Sequence, residues 1–229
     1  MKIALLAKAH NRYTGYVQRI LQENDDVGLF SGKVSLDELN EYDLGISWFY
    51  PFILKREQID AVRLGIINHH IGLLPWGRGA APNVWAIAND EPAGVTMHWI
   101  DAGVDTGPII FQEKVEKLIT DTSEDLYNRL CAAMFQLFEK RWPTIRVNLA
   151  NGTYLPGIEQ REAYLEYEPP THKMKDLEEL DDLEKVYGRS FMRRVVGTLR
   201  ARTFTGHEAA YIRDDQGRKV YVRVSLSYE

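Results

Sequence analysis

Residues Gly65–Ala86 read GIINHHIGLLPWGRGAAPNVWA. An apolar run ends in two adjacent histidines, a turn crowded with Gly and Pro follows, and Pro82 opens a helical pattern. Gly65–His70 reads as a buried strand and Pro82–Asp90 as a helix with proline at its start. Successive side chains of a strand face opposite ways, so Asn68 and His70 share one face while His69 takes the other.

Upstream, KIALLA (Lys2–Ala7) suits a central parallel strand. Thr14–Asp25 carries Tyr16, Val17, Ile20 and Leu21 at helical spacing, with Thr14 as a candidate cap. Val27–Phe30 and Asp43–Phe49 read as strands and Lys55–Val62 as a helix. Strands and helices alternating at these intervals predict an α/β fold with a mostly parallel sheet.

Downstream, Gly94–Asp101 and Pro108–Glu116 read as two strands around a polar, glycine-containing loop. A helix of about five turns then starts at Thr122, with Asp125 three residues on as a variant capping box. After Gly152 the chain becomes polar and charge-dense, and Pro169-Pro170 breaks it. This places a boundary between about residues 150 and 172. Residues 1–150 are thus expected to form one domain, and 151–229 a linker with a small helix-and-hairpin subdomain. That subdomain holds a helix over Val186–Ala201 and a hairpin turning at Asp214-Asp215-Gln216-Gly217.

The formal net charge of −5 argues against a surface that grips nucleic acid, whose affinity comes from many Lys and Arg contacts. Arg189, Arg193, Arg194, Arg200 and Arg202 cluster locally and read as a solvated helix face. No apolar run approaches the ~20 residues that span a bilayer, and MKIALLAKAHNRYTG reads as a first strand rather than a leader. The single Cys131 excludes an internal disulfide and fits a cytoplasmic protein with a buried, inert thiol.

Strand ends gather ligands in open α/β sheets. Asn68 and His70 lie at one such end, and Asp105 in DAGVDTGP lies after another. A zinc site would need His70 with His98 and Asp101 or Asp105, and no HExxH or CxxC spacing supports one, so no metal is expected. Acyl transfer to an amine fits the trio better. The oxygen that gains charge wants fixed donors, Asn68 and a protonated His70, and the attacking amine must lose a proton to a carboxylate or to an Asp-oriented imidazole. Two phosphates of a substrate would need cationic donors, and Lys8, His10, Asn11 and Arg12 after the first strand, with Arg78, are the candidates. Composition and spacing alone stop at an α/β enzyme with its site near His70.

Asn68-His69-His70, Leu73-Leu74-Pro75, Arg78-Gly79-Ala80-Ala81-Pro82, Gly94-Val95-Thr96 and Asp105-Thr106-Gly107 follow one another in an order and spacing that resembles the formyltransferase family. Members move a formyl group from N10-formyltetrahydrofolate to an amine. Asn68, His70 and Asp105 match the family's catalytic trio, and Gly72 stands where the family often has Ser. The resemblance implies a Rossmann-like catalytic domain. It also implies a folate co-substrate lying along three segments. The first is Ser47–Leu54, with Trp48, Phe49, Tyr50, Phe52, Ile53 and Leu54. The second is Gly72, Leu73, Leu74 and Pro75, and the third is the loop with Asp101, Gly103 and Val104.

The tail from Leu199 looks like that of the sugar N-formyltransferases, whose small terminal subdomain often forms a homodimer. The start LLAKAHNRYTG lacks the phosphate-binding glycine loop of the glycinamide ribonucleotide enzymes. The methionyl-tRNA enzymes carry a larger, basic C-terminal domain. The expectation is therefore a dTDP-amino-sugar N-formyltransferase, acting on dTDP-4-amino-4,6-dideoxyglucose for surface polysaccharide such as O-antigen. Glycinamide ribonucleotide, methionyl-tRNA and a 3-amino sugar nucleotide are the alternative acceptors.

Overall fold

The structure is a computed structural model that describes residues 1–160, 168–203 and 208–225. Its chain divides into two compact units, Met1–Lys117 with Thr122–His172, and Leu118–Asp121 with Lys173–Glu229.

The first unit is built on a six-stranded sheet. Its strands are β1 (Lys2–Ala7), β2 (Asp26–Phe30), β3 (Leu44–Trp48), β4 (Ile66–His70), β6 (Gly94–Trp99) and β7 (Ile109–Lys114), in the order β2-β1-β3-β4-β6-β7. β1 to β4 pair in parallel, while β6 runs antiparallel to both β4 and β7. Alternation along β1 covers both faces of the sheet. Ile3, Leu5 and Ala7 join one core with Ile46, Trp48 and Ile67, and Ala4 and Leu6 join a second with Val34, Leu39 and Val62.

Helices α1 (Thr14–Gln22) and α5 (Ser123–Ala150) cover the first core with Val17, Leu21, Met134, Phe138 and Trp142. The capping box of α5 is present: Thr122 Oγ1 accepts from the Asp125 amide, and Asp125 accepts from the Thr122 amide. Thr14 caps nothing. Its hydroxyl donates to the Lys8 carbonyl, and α1 begins after Tyr13 with no side-chain cap.

The second face is closed by α2 (Leu36–Leu39), which the sequence reading omits, and α3 (Arg56–Asp60). α2 is one turn long, too short to show a period, although Ser35 and Glu38 form its capping box. α4 (Pro82–Ala88) begins at its proline. Between β4 and α4, β5 (Arg78–Gly79) pairs in parallel with β8 (Thr171–His172).

The second unit contains α6 (Glu178–Asp181), α7 (Leu183–Tyr187), α8 (Arg189–Arg202) and an antiparallel hairpin of β9 (Ala210–Arg213) and β10 (Lys219–Val222). Gly188, at φ +84°, breaks the single helix expected over Val186–Ala201 into α7 and α8. Within the arginine cluster, Arg189 and Arg193 both reach Glu184. Among the described residues no helix is long and apolar enough to cross a membrane.

Candidate active site

The direction of β6 decides how the trio assembles. β6 runs back beside β4, so Trp99 pairs with Ile67 and His98 with Asn68. The following loop therefore starts beside the beginning of β4, not at its carboxyl end as two parallel strand ends would require. The Trp99 amide donates to the Pro108 carbonyl and closes the base of this loop, which folds back to bring Asp105 over β4. Asp105 adopts the left-handed φ of +52°, a conformation that Asp tolerates better than most residues.

Around Asp105 the structure brings together all three trio members. Asn68 Nδ2 donates to Asp105 Oδ1 at 3.1 Å, and the Gly79 amide donates to Oδ2 at 3.0 Å. His70 Nδ1 lies 3.5 Å from Oδ2, and His98 Nε2 lies 3.5 Å from Oδ1. Burial by itself would raise the Asp105 pKa. The facing charge of His70, the contact with His98 and the Gly79 N–H outweigh it and hold the carboxyl well below the usual range. Asp105 is therefore ionised, an acceptor on every side.

The other ring nitrogen of His70, Nε2, donates to the Gly77 carbonyl at 2.8 Å. In its doubly protonated form the ring donates at both ends, to Gly77 and towards Asp105. A methyl group at Gly72 would fall 2.6 Å from His70 Nε2, so the ring fills the space that a side chain there would take. His69 does point to the opposite face. Its Nδ1 donates to the Ser47 carbonyl at 3.0 Å, and its ring packs on Trp48 and Phe138. Burial lowers its pKa to about 4, so His69 is neutral at physiological pH.

One cavity adjoins the trio at His70, and a second shares Tyr127 with it. The first, of 240 Å³, is lined by Phe49, His69, His70, Ile71, Gly79, Ala81, Pro82, Asn83 and Tyr127. The other, of 170 Å³, is lined by Lys8, His10, Asn11, Arg12 and Tyr13 with Tyr127, Asn128 and Cys131 of α5. Tyr127 borders both. Burial and the nearby Cys131 push its phenol up to about 12, so it remains a hydrogen-bond donor. Four of the five expected phosphate-side residues thus share one cavity. Arg78 does not: it is only 4% exposed, with Nε held by Gln160 and Nη1 by Glu168.

The residues expected along the folate are scattered in burial. Trp48 has no exposed surface and donates its Nε1 to Asn11, as part of the core. Leu73, Leu74, Gly72 and Pro75 are buried, and Thr96 Oγ1 ties Gly72 to Leu74. Tyr50 is fixed by Gly32 and Val34, and its ring packs edge-on against Phe52. Leu54 packs on the second core. Ile53, 86% exposed, and Val104, 44% exposed, leave apolar side chains facing solvent. Asp101 Oδ1 accepts from the Gly103 amide and the Thr106 hydroxyl, which stiffens its loop. The sequence reading gave no role to His98 except in a zinc site, and none to Tyr127 or Gln160. Only strand register and chain packing put these residues here. Among the described residues no group of three or more His, Cys, Asp or Glu is placed to hold a metal.

A mostly parallel sheet thus brings Asn68, His70 and Asp105 together beside a cavity. The chain belongs to the formyltransferase family and is an enzyme of formyl transfer. The family pattern described as formyl transferase matches residues 34–140, and the one described as N-formyltransferase dimerization C-terminal domain matches residues 173–228. A dTDP-4-amino-4,6-dideoxyglucose formyltransferase of Mycobacterium tuberculosis is 32% identical over 83% of this chain and 76% of its own length.

Among solved structures, the formyltransferase PseJ of Anoxybacillus kamchatkensis is 32% identical, with a TM-score of 0.67 over 81% of this chain and 94% of its own. It was solved with UDP-4,6-dideoxy-4-formamido-L-AltNAc and tetrahydrofolate. A 4-N formyltransferase of Francisella tularensis is 25% identical, with a TM-score of 0.67 over 100% of this chain and 98% of its own.

Proposed function

We propose that this enzyme transfers a formyl group from N10-formyltetrahydrofolate to the 4-amine of a nucleotide-linked 4-amino-4,6-dideoxy sugar, with dTDP-4-amino-4,6-dideoxyglucose as the substrate. The observation that carries the reading is the pair of cavities meeting at Tyr127, one beside His70 and one lined by Lys8, His10 and Arg12. A transfer enzyme needs two substrates to meet at one catalytic group, and a diphosphate needs cations. The relative from Mycobacterium tuberculosis supports the choice of sugar and base.

The exposed Ile53 and Val104 and the cavity wall at Phe49 suit a flat ring and its apolar linker, so these residues would hold the folate. The folate, when bound, supplies the formyl carbon. The remaining work falls to the chain. In this reading Asn68 and His70, whose N–H groups are held here by Asp105 and the Gly77 carbonyl, each turn an N–H to the formyl oxygen as it gains charge. Asp105, ionised, starts as a base. It orients the Asn68 amide, steadies a protonated His70, receives the proton that the attacking amine loses, directly or through His70, and gives it up to N10 as the N10–formyl bond breaks and tetrahydrofolate leaves.

Residues 1–150 form the catalytic domain in this reading, and 151–229 a linker and subdomain through which two copies pair, with Leu155 and Gln160 of the linker lying in the first unit. The name of the family pattern at 173–228 supports that assignment. The lone cysteine and the substrates suit the cytoplasm, and the product feeds surface polysaccharide synthesis.

The test is mass spectrometry of the purified enzyme with N10-formyltetrahydrofolate and a panel of amines. The panel holds dTDP-4-amino-4,6-dideoxyglucose, a UDP-linked 4-amino sugar, a dTDP-linked 3-amino sugar and glycinamide ribonucleotide. One added formyl group on the first is the expected result. A product only on another member would replace the acceptor.

A further inference from the structure

Gln160 lies outside both matched family segments, 34–140 and 173–228. Its side chain is 2% exposed and makes three hydrogen bonds. Nε2 donates to the carbonyls of Asp105 at 2.8 Å and Gly107 at 2.9 Å, and Oε1 accepts from Arg78 Nε at 2.8 Å. Two carbonyls can be met only by the NH2 end, and a guanidinium only by the oxygen, so the partners themselves fix the amide orientation. The main chain just before it is pinned as well, because Ile158 and Ile109 exchange both backbone hydrogen bonds.

These contacts close a ring around Asp105. Its carboxylate accepts from the Gly79 amide, Gly79 follows Arg78, Arg78 donates to Gln160, and Gln160 donates back to the Asp105 carbonyl. The ring joins the turn that carries Gly77 and Gly79 to the loop that carries Asp105. Asp105 needs such a hold, since its backbone lies in the left-handed region that side-chain-bearing residues seldom adopt. Without the hold, the carboxylate is free to drift from Asn68 and His70.

We propose that Gln160 is a positioning residue for formyl transfer, setting Asp105 against Asn68 and His70 through the main chain of its loop. This rests on the transfer reading above. Gln160→Leu keeps most of the volume and removes all three hydrogen bonds. It is expected to lower kcat by about ten- to a hundredfold, as a displacement of about 1 Å does, with both KM values within about twofold. In an Asp105→Asn background the same change is expected to cause no further loss, because both act through one carboxylate. An unchanged kcat, or an equal loss in both backgrounds, overturns the proposal.

Histidine ring NMR gives a readout that needs no turnover. Gln160→Leu is expected to shift the His70 and His98 signals and to leave His69, on the other face, in place. If the wild-type enzyme formylates nothing in the panel, the transfer reading fails, and unmoved His70 and His98 signals still overturn the role of Gln160. Should the Leu variant not fold, Gln160→Glu, which turns a carboxylate oxygen against two carbonyls, is measured in the same way with the same two outcomes.

Discussion

His98 stands directly opposite Asn68 in the antiparallel pairing of β4 and β6, and the Asn68 amide nitrogen lies 3.1 Å from His98 Nε2. His98 Nδ1 sits 2.8 Å from the Trp99 carbonyl, which can only accept, so that nitrogen carries a proton. Asn68 Nδ2 donates to Asp105 Oδ1 and lies beside His98 Nε2. The Asn68 amide is therefore held between a residue of a strand and one of a loop.

Replacing His98 by Ala removes one of these two partners of Asn68 and the contact with Asp105. A hydrogen bond within a charged cluster contributes on the order of 1.5–3 kcal/mol, so kcat should fall about tenfold or more. Steady-state kinetics check this, with the folate KM changed little. Equal rates in His98→Ala and the wild type would show that Asp105 alone orients Asn68.

Asp105→Asn and His70→Asn should each lower kcat on the order of a hundredfold or more, with modest effects on folate binding. Asp105 also carries a pH signature. Its folded pKa is depressed, so its contribution to stability is present above the unfolded carboxyl value of about 4 and is lost as pH falls through the lower folded value. Denaturant titrations should show Asp105→Asn less stable than the wild type at neutral pH, with the gap narrowing below about pH 4.

His69 should make the fold acid-sensitive in a higher window. Its pKa drops from 6.5 to about 4 on burial. Between those values the unfolded chain binds the proton and the folded one does not, so stability is full above 6.5 and declines as pH falls towards 4. The loss amounts to on the order of 3 kcal/mol across the window. In His69→Gln, unfolding free energy measured from pH 7 to 4 should be flatter; an unchanged slope would assign the acid sensitivity to other groups.

Arg12 stacks over Tyr13, donates to its hydroxyl and lines the smaller cavity. Arg12→Ala should raise the KM for the sugar nucleotide about tenfold, the value of a charged hydrogen bond, and leave the folate KM alone. Isothermal titration with the nucleoside diphosphate gives the same answer without turnover. An unaltered sugar-nucleotide KM would remove Arg12 from the site.

The sequence determined what lies within a few residues of itself. Apolar runs at KIALLA and GIINHH become buried strands, Thr122 and Asp125 cap α5, and strand alternation separates His69 from Asn68 and His70. Each is a local preference of backbone or side chain, so it is written where it acts. The trio itself was legible as a set of residue types in order.

The tertiary structure alone decided how the trio is held. Whether β6 runs with or against β4 depends on the path of a loop, and only the antiparallel choice sets His98 against Asn68. Gln160 meets residues 53 to 82 positions away, and Arg78, a cation expected at the phosphates, is drawn into the interior to complete that contact. Trp48, an aromatic expected at the pterin, is claimed by the core. Burial and partnership between distant residues are properties of the packed chain, because an indole or a guanidinium carries no mark of which neighbour will reach it.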